Sequence, residues 1–356
     1  MVSIYIVSTA GYSGKSLVTL GLGLRMRADG ISAGFMKPFG RSPVVEDGVL
    51  MDGDASFMKK TLGLDDPVGT ICPVVYTHDL YAEALRGRGR DLATAVMKAH
   101  KALSKGRDAL LVGGARDVYD GAFIGISALR LIPKMDAKVL MVDPFEGEVC
   151  VDCLLAVKEL LGDRLIGAVV NKVPAEGVDF VRGMAGPFLK KKGIPLLGVI
   201  PADKLLHSIS VGQLAESLGG RVLCAEDRLD ELVENFLIGA MDAESALKYF
   251  RKTPNKAVVT GGHRSDIQLA ALETSTRCLV LTGDMLPNNL IIAKARTAGV
   301  PIIVVRHDTL TTVERFEAVL GKVRIREERK VESARWMMEE HFDYKAFYRL
   351  AGLRKP

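Results

Sequence analysis

Short runs of aliphatic and β-branched residues recur through the first 205 positions, separated by longer stretches of helical period. The runs Ile4–Ser8, Ser32–Met36, Ala109–Val112, Lys138–Val142, Ile166–Val170 and Leu196–Ile200 have continuously apolar interiors rather than alternating ones. That predicts strands of a parallel sheet covered on both faces. Between them Lys15–Asp29, Asp91–Ser104, Cys150–Leu161 and Val178–Lys192 carry the 3.6-residue period of helices. The pattern is α/β, a doubly wound and mainly parallel sheet, which places ligands at the carboxyl ends of the strands.

From Ser208 to Phe250 the pattern is less regular, and two amphipathic helices are predicted at Ser210–Leu218 and Arg228–Ile238, around Gly219-Gly220. Lys256–Thr260, Cys278–Leu281 and Pro301–Val305 again read as parallel strands, with helices at Asp266–Thr274, Asn288–Ala298 and Thr309–Leu320. They make a second, smaller α/β unit. In the tail, Arg324–Lys330 alternates acidic and basic residues and reads as a solvated helix face. Trp336, Met337, Met338, Phe342, Phe347 and Tyr348 follow, as a set expected to pack on a domain or a partner subunit. The expected division is a nucleotide-binding domain at 1–207, a helical connector at 208–250 that can belong to the next domain, a domain at 251–325 and a helical tail at 326–356. A homodimer is expected.

Composition narrows the class. At 356 residues and 48% apolar content the chain can bury two cores. A formal net charge of +5 is small for this length, and the densest basic cluster, Lys190-Lys191-Lys192, ends a predicted helix where cations are favoured. A nucleic-acid partner is therefore not expected. No run approaches the roughly 20 apolar residues of a membrane span, and Met1–Val7 lacks the features of a secretory signal, so a cytoplasmic protein is expected. Cys72, Cys150, Cys153, Cys224 and Cys278 are odd in number and scattered, as suits a reducing compartment. The Cys150-x-x-Cys153 pair has no partners to complete a zinc site and reads as a helix turn.

The densest chemistry is at the start. Thr9-Ala10-Gly11-Tyr12-Ser13-Gly14-Lys15-Ser16 follows a predicted strand and opens a helix, the setting of a P-loop. Successive backbone N–H groups at a helix amino terminus converge on phosphate oxygens, and Gly11 and Gly14 permit that backbone. Tyr12, Ser13 and Leu17 complete the candidate phosphate-binding segment. Lys15 would reach the terminal phosphates and the Ser16 hydroxyl would ligate Mg2+. Thr9 stands where the usual pattern begins with Gly. Lys37, at the carboxyl end of the second strand, is placed to meet an anion or to be a solvated loop lysine. Asp52 and Asp54 precede a helix and offer carboxylates to magnesium, or Asp52 simply caps that helix.

Taken together, the P-loop start, Lys37-Pro38, Asp54, Asn171-Lys172-Val173-Pro174 and Pro195–Pro201 resemble dethiobiotin synthetase and its relatives, over about residues 1 to 205. The same fold forms the amino-terminal domain of long phosphotransacetylases. The resemblance implies ATP (or ADP) and Mg2+ as cofactors, Lys15 and Lys37 as catalytic residues, and Ser16 and Asp54 at the metal. It further implies Asn171 at the adenine, with Pro201 and Ala202 near the base. Three positions depart from the family: Ala10 and Gly113 stand where it carries acids, and Arg41 replaces a small hydroxyl residue near its substrate. Asp117 and Asp120 are the nearest carboxylates to stand in.

In the second unit Val258–Leu272, containing Thr260-Gly261-Gly262-His263-Arg264, resembles a DRTGG domain, a regulatory module of long phosphotransacetylases, over roughly residues 210 to 325. Thr260-Gly261-Gly262 reads as a strand-to-helix turn able to receive an anion, with donors from His263 and Arg264, or as a glycine turn required by packing. The chain stops at Pro356 without the large acetyl-transferring domain, so phosphate acetyltransferase activity is not expected. The activity expected is ATP hydrolysis or phosphoryl transfer to a carboxylate-like small-molecule acceptor. The alternative is a non-catalytic nucleotide sensor, answering to an effector.

Overall fold

The computed structural model describes residues 1–320, 325 and 327–353. Contacts divide the chain into two units, Met1–Ala202 with Arg324–Pro356, and Asp203–Val323. In the first unit the chain begins with β1 (Val2–Val7), α1 (Lys15–Ala28) and β2 (Ala33–Met36). A hairpin of β3 (Pro43–Glu46) and β4 (Val49–Asp52) leads into α2 (Gly53–Leu62), α3 (Val68–Ile71), α4 (His78–Leu85) and α5 (Leu92–Leu103). Then come β5 (Ala109–Gly113), α6 (Ala128–Lys134), β6 (Lys138–Pro144), α7 (Val149–Leu161) and β7 (Leu165–Val173). The helical stretch that follows is α8 (Val178–Phe180), a π turn (Val181–Ala185) and α9 (Gly186–Lys191), before β8 (Leu196–Pro201).

Six of these strands form one parallel sheet in the order β2-β5-β1-β6-β7-β8, as the unbroken apolar runs predict. β1 is central, and its neighbours β5 and β6 come from opposite directions of winding. The loops leaving β1, β2, β5 and β6 therefore gather on one sheet edge, where such folds bind ligands. Helix α1 is buried almost all round from Leu17 to Gly23, because it lies between the sheet and a further helix. That helix is α16 (Glu328–His341) of the tail, followed by α17 (Tyr344–Ala351).

The tail's apolar residues Met337, Met338, Phe342, Phe347 and Tyr348 are buried, and the Asp343 N–H donates to the Leu197 carbonyl of β8 at 2.8 Å. Trp336 is exposed. Of the predicted solvated charge run, Arg324 and Arg326 lie outside the described residues. Lys330 departs from expectation: it is fully buried and pairs with Glu327 at 3.2 Å, its apolar stem going inward with the helix.

The second unit begins with α10 (Lys204–His207), β9 (Ile209–Ser210), α11 (Val211–Leu218), β10 (Arg221–Val222), β11 (Leu232–Val233), β12 (Asn235–Ile238) and α12 (Ala243–Lys252). It continues through β13 (Lys256–Gly261), α13 (Ser265–Leu272), β14 (Thr276–Thr282), α14 (Asn289–Ala298), β15 (Ile302–Val304) and α15 (Thr309–Val319). Its sheet runs β10-β15-β14-β13-β12, with only β10 antiparallel. Alternate residues of β13 and β14 feed two cores: Ala257, Val259, Cys278 and Val280 face α11 and α15, while Val258, Leu279 and Leu281 face α12, α13 and α14. Double-sided burial is why these strands read as continuous apolar runs.

One expectation fails here. Arg228–Ile238 is not a helix but contains β11 and β12. Its apolar residues at 232, 233, 236 and 237 mimic helical spacing, yet pairing of β12 with β13 and packing of the Phe236 ring 4.6 Å from that of Phe316 decide for strand. Among the described residues no helix is long and apolar enough to cross a membrane.

Candidate functional site

The loop between β1 and α1 turns through two left-handed residues, Tyr12 (φ 56°) and Gly14 (φ 100°). Gly14 is required twice over: by that φ, and because a Cβ there would lie 1.9 Å from Asn171 Nδ2. The Asn171 amide, at the end of β7, donates to the Ser13 carbonyl at 2.8 Å and is itself buried. The residue expected at adenine thus holds the turn between β1 and α1 in place. Ser16 is exposed in the first turn of α1 and Leu17 points into the core. Pro201 ends β8, and Ala202 follows it with its N–H on the Val173 carbonyl at 2.9 Å.

The Lys15 ammonium donates to Ser8 Oγ at 2.6 Å and to the Arg116 carbonyl at 2.8 Å, so it crosses the loop towards the turn that follows β5. Burial lowers its pKa to about 8, against the pull of the Asp143, Asp117 and Asp120 carboxylates, which favour the charged form. Asp143, near the end of β6, is 1% exposed and accepts from the Thr9 N–H at 2.8 Å and the Thr9 hydroxyl at 2.7 Å. Burial raises the pKa of this carboxylate, and the two Thr9 hydrogen bonds oppose the rise. Thr9 and Asp143 therefore form a pair that anchors the first residue of the loop, where the usual pattern has glycine.

Lys37 lies one strand further out, beyond β5. Its ammonium, almost wholly buried, donates to Asp52 Oδ1 at 2.9 Å and Asp54 Oδ2 at 2.7 Å. Burial alone would lower its pKa; the two carboxylates outweigh it and hold the pKa above the usual value, so Lys37 stays charged. Asp52 also accepts from the Ala55 and Ser42 N–H groups, both at 2.9 Å, capping α2 and closing the β3–β4 hairpin.

In the second unit Thr260 and Gly261 end β13 and Gly262 begins the turn that follows. A Cβ on Gly262 would fall 2.2 Å from the Met285 carbonyl oxygen, so packing alone demands glycine. The Arg264 guanidinium is engaged by Asp266 at 2.9 and 3.0 Å and by the Met241 carbonyl at 2.8 Å, while His263 is exposed. The Gln268 amide donates to both the Gly261 and Gly262 carbonyls at 3.0 Å. The turn is held closed by donors of its own unit.

The AAA_26 family profile, an AAA domain, matches residues 2–210, more than half of the chain. The chain belongs to the AAA_26 family. A DRTGG domain profile matches residues 213–319. Phosphate acetyltransferase of Pseudomonas putida is 24% identical across 96% of this chain and 51% of its own length. That of Nitratidesulfovibrio vulgaris is also 24% identical, across 96% of this chain and 50% of its own. The chain spans about half the length of the curated relatives it matches, and its order of a dethiobiotin synthetase-like P-loop domain followed by a DRTGG domain is that of their amino-terminal part.

Among solved structures, the CBS and DRTGG domains of the regulatory region of Clostridium perfringens pyrophosphatase, complexed with the activator diadenosine tetraphosphate, align with a TM-score of 0.27. That alignment has 19% identity and covers 49% of this chain and 86% of the other. Thermotoga maritima cell division protein ftsY aligns with a TM-score of 0.36 and 16% identity, covering 56% of this chain and 61% of the other.

Two members of the site within the AAA_26 domain, Asp143 and the Arg116 carbonyl, are not among the candidates that residue type and spacing single out. The signal for the first was present, a carboxylate at the carboxyl end of a strand in Val142-Asp143-Pro144. A backbone carbonyl that receives Lys15 has no residue-type signature and emerges only from the fold.

Proposed function

We propose that the AAA_26 domain binds ATP through Gly11–Leu17 and transfers its terminal phosphoryl group to water or to a carboxylate-like acceptor, with the DRTGG domain as a regulatory module. The observation that carries this reading is the Lys15 ammonium at a left-handed P-loop turn whose backbone is pinned by Asn171 and Asp143. In transfer to a carboxylate, its oxygen attacks the terminal phosphorus, the bond to the bridging oxygen breaks and ADP leaves. Lys15 neutralises charge on the phosphoryl oxygens in that step. Lys37 is held charged on the side of β2, and supplies a second cation once an anion competes with Asp52 and Asp54.

The donor chemistry suits magnesium, which keeps several waters and is bound by one or two hard protein oxygens together with substrate phosphates. Ser16 and Asp54 would hold it, and bound there it would supply neutralisation of the phosphate charge. A Cβ on Gly113 would lie 3.1 Å from the Phe35 ring, so at the family's acidic position on β5 an aromatic ring fills the neighbouring space.

Calorimetric titration with ATP and a phosphate-release assay test the reading together. Lys15→Ala is expected to lower ATP affinity at least tenfold, and Asp54→Ala to abolish release. Unchanged binding and turnover in Lys15→Ala would refute it. The second reading, a nucleotide sensor, is favoured by Lys37 being tied to two carboxylates. Tight ATP binding with no phosphate release across candidate acceptors would select it.

A further inference from the structure

Beside the P-loop, on the β2 side, one arginine is set among aromatic rings. The Arg41 guanidinium lies 4.8 Å from the centre of the Tyr76 ring, 5.6 Å from that of Phe39 and 5.7 Å from that of Tyr81. Among the described residues it donates one hydrogen bond, to the Tyr81 hydroxyl at 2.8 Å. It forms an ion pair with the Asp120 carboxylate at 3.7 Å, longer than a hydrogen bond, and Asp120 also accepts from the Arg116 N–H at 3.1 Å, so a ligand oxyanion competes with Asp120 for the guanidinium. The Arg41 side chain is 32% exposed. Tyr81 in turn meets the edge of Phe123 at 4.8 Å, and Phe123 is half exposed. The rings hold the guanidinium in place and shield its charge from water, and its exposed third offers N–H groups, beyond the one spent on Tyr81, for two-pronged recognition of an oxyanion.

The topology gives the cluster its meaning. Arg41 follows Lys37 on the loop leaving β2, and that loop is pinned to the chain at 74–76 by the Gly40 N–H on Val74 and the Tyr76 N–H on Gly40. Asp120 belongs to the loop leaving β5, whose Arg116 carbonyl receives Lys15. In the order β2-β5-β1-β6-β7-β8, Arg41 thus lies on one side of the P-loop, while Asn171, Pro201 and Ala202 lie on the other. A nucleotide whose base lies over β7 and β8 leaves the β2 side for the second reactant.

We propose that Arg41, with Tyr76, Tyr81 and Phe123, binds a carboxylate of the acceptor or effector of the P-loop domain, the exposed ring of Phe123 covering its apolar part. The ligand class is a small organic carboxylate. The inference rests on the reading of Gly11–Leu17 as a nucleotide site, and its test separates the two.

The full chain is titrated calorimetrically with sodium benzoate, sodium succinate and inorganic phosphate, each alone and with magnesium and a non-hydrolysable ATP analogue. Wild-type protein is expected to bind at least one carboxylate, and more tightly than phosphate. Arg41→Ala weakens that binding at least tenfold, and Arg41→Lys, which keeps the charge without the fork, by less. Affinity for the ATP analogue stays within about twofold in both. Tyr81→Phe, which removes only the hydroxyl that fixes the guanidinium, weakens carboxylate binding a few-fold at an unchanged melting temperature and serves where Arg41→Ala does not fold. Carboxylate affinity equal in wild type and all three variants, no carboxylate binding by wild type, or a preference for phosphate would each overturn the proposal. Loss of ATP-analogue binding in the wild type would instead overturn the nucleotide reading, and an Arg41-dependent carboxylate site would survive it.

Discussion

At the scale of single residues, the pair formed by Thr9 and Asp143 accounts for a P-loop that begins without glycine. Both oxygens of a buried carboxylate are occupied by the N–H and hydroxyl of Thr9, so the loop's first residue is fixed by two hydrogen bonds to the neighbouring strand. The same carboxylate favours the charged form of Lys15. Replacing Asp143 by Ala removes both acceptors and leaves the Thr9 N–H without its partner, at a cost of about 1–3 kcal/mol. Asp143→Ala is therefore expected to lower the urea midpoint and to weaken ATP binding several-fold in calorimetry. Wild-type values for both would show that the pair neither anchors the loop nor tunes Lys15. Lys15 itself was legible from the Gly-Lys-Ser spacing; Asp143 lies 134 positions from Thr9 and becomes its partner only because β6 lies beside β1.

Elements show where local pattern and tertiary pairing disagree. The parallel strands were readable because burial on both faces leaves no polar alternation, whereas Arg228–Ile238 carries apolar spacing that serves a helix or a strand equally well until β13 offers an edge to pair with. β13 starts with an unusual residue for such a position, the fully buried Lys256, whose ammonium donates to Thr274 Oγ1 at 2.9 Å and to the Ser275 carbonyl at 3.1 Å. Burial lowers its pKa to about 8 from an ordinary 10.5. Between these values the unfolded chain keeps a proton that the folded chain has released. The contribution of Lys256 to stability therefore rises as pH climbs through that window and is lost as pH falls through about 8. Lys256→Met removes this dependence. Urea midpoints of the two proteins are expected to separate in favour of wild type between pH 7.5 and 9.5, relative to their separation at pH 7.5. A separation constant with pH would contradict the assignment.

For the whole molecule, the main organisational fact is that the chain leaves the first unit after β8, builds the second, and returns, so that α16 and α17 complete the core of the first. Phe347 is fully buried there, with its ring 5.5 Å from that of Phe342 and 5.9 Å from that of Tyr348. Phe347→Ala is expected to cost about 3–5 kcal/mol by the cavity it leaves. It should lower the melting transition of the AAA_26 domain, read by calorimetry with and without ATP. An unshifted transition would mean that the tail is no part of that core. By itself, the sequence determined what depends on local chemistry and period: the α/β class, the parallel strands, the P-loop with Lys15 and Ser16, and the order of P-loop and DRTGG domains. Only the tertiary structure decided which distant residues meet: Asp143 with Thr9, Asn171 with Ser13, Lys37 with Asp52 and Asp54, Arg41 with its rings, and the tail with α1. Periodicity reports which face of an element is buried, whereas such partnerships depend on which strands the chain crossings bring side by side.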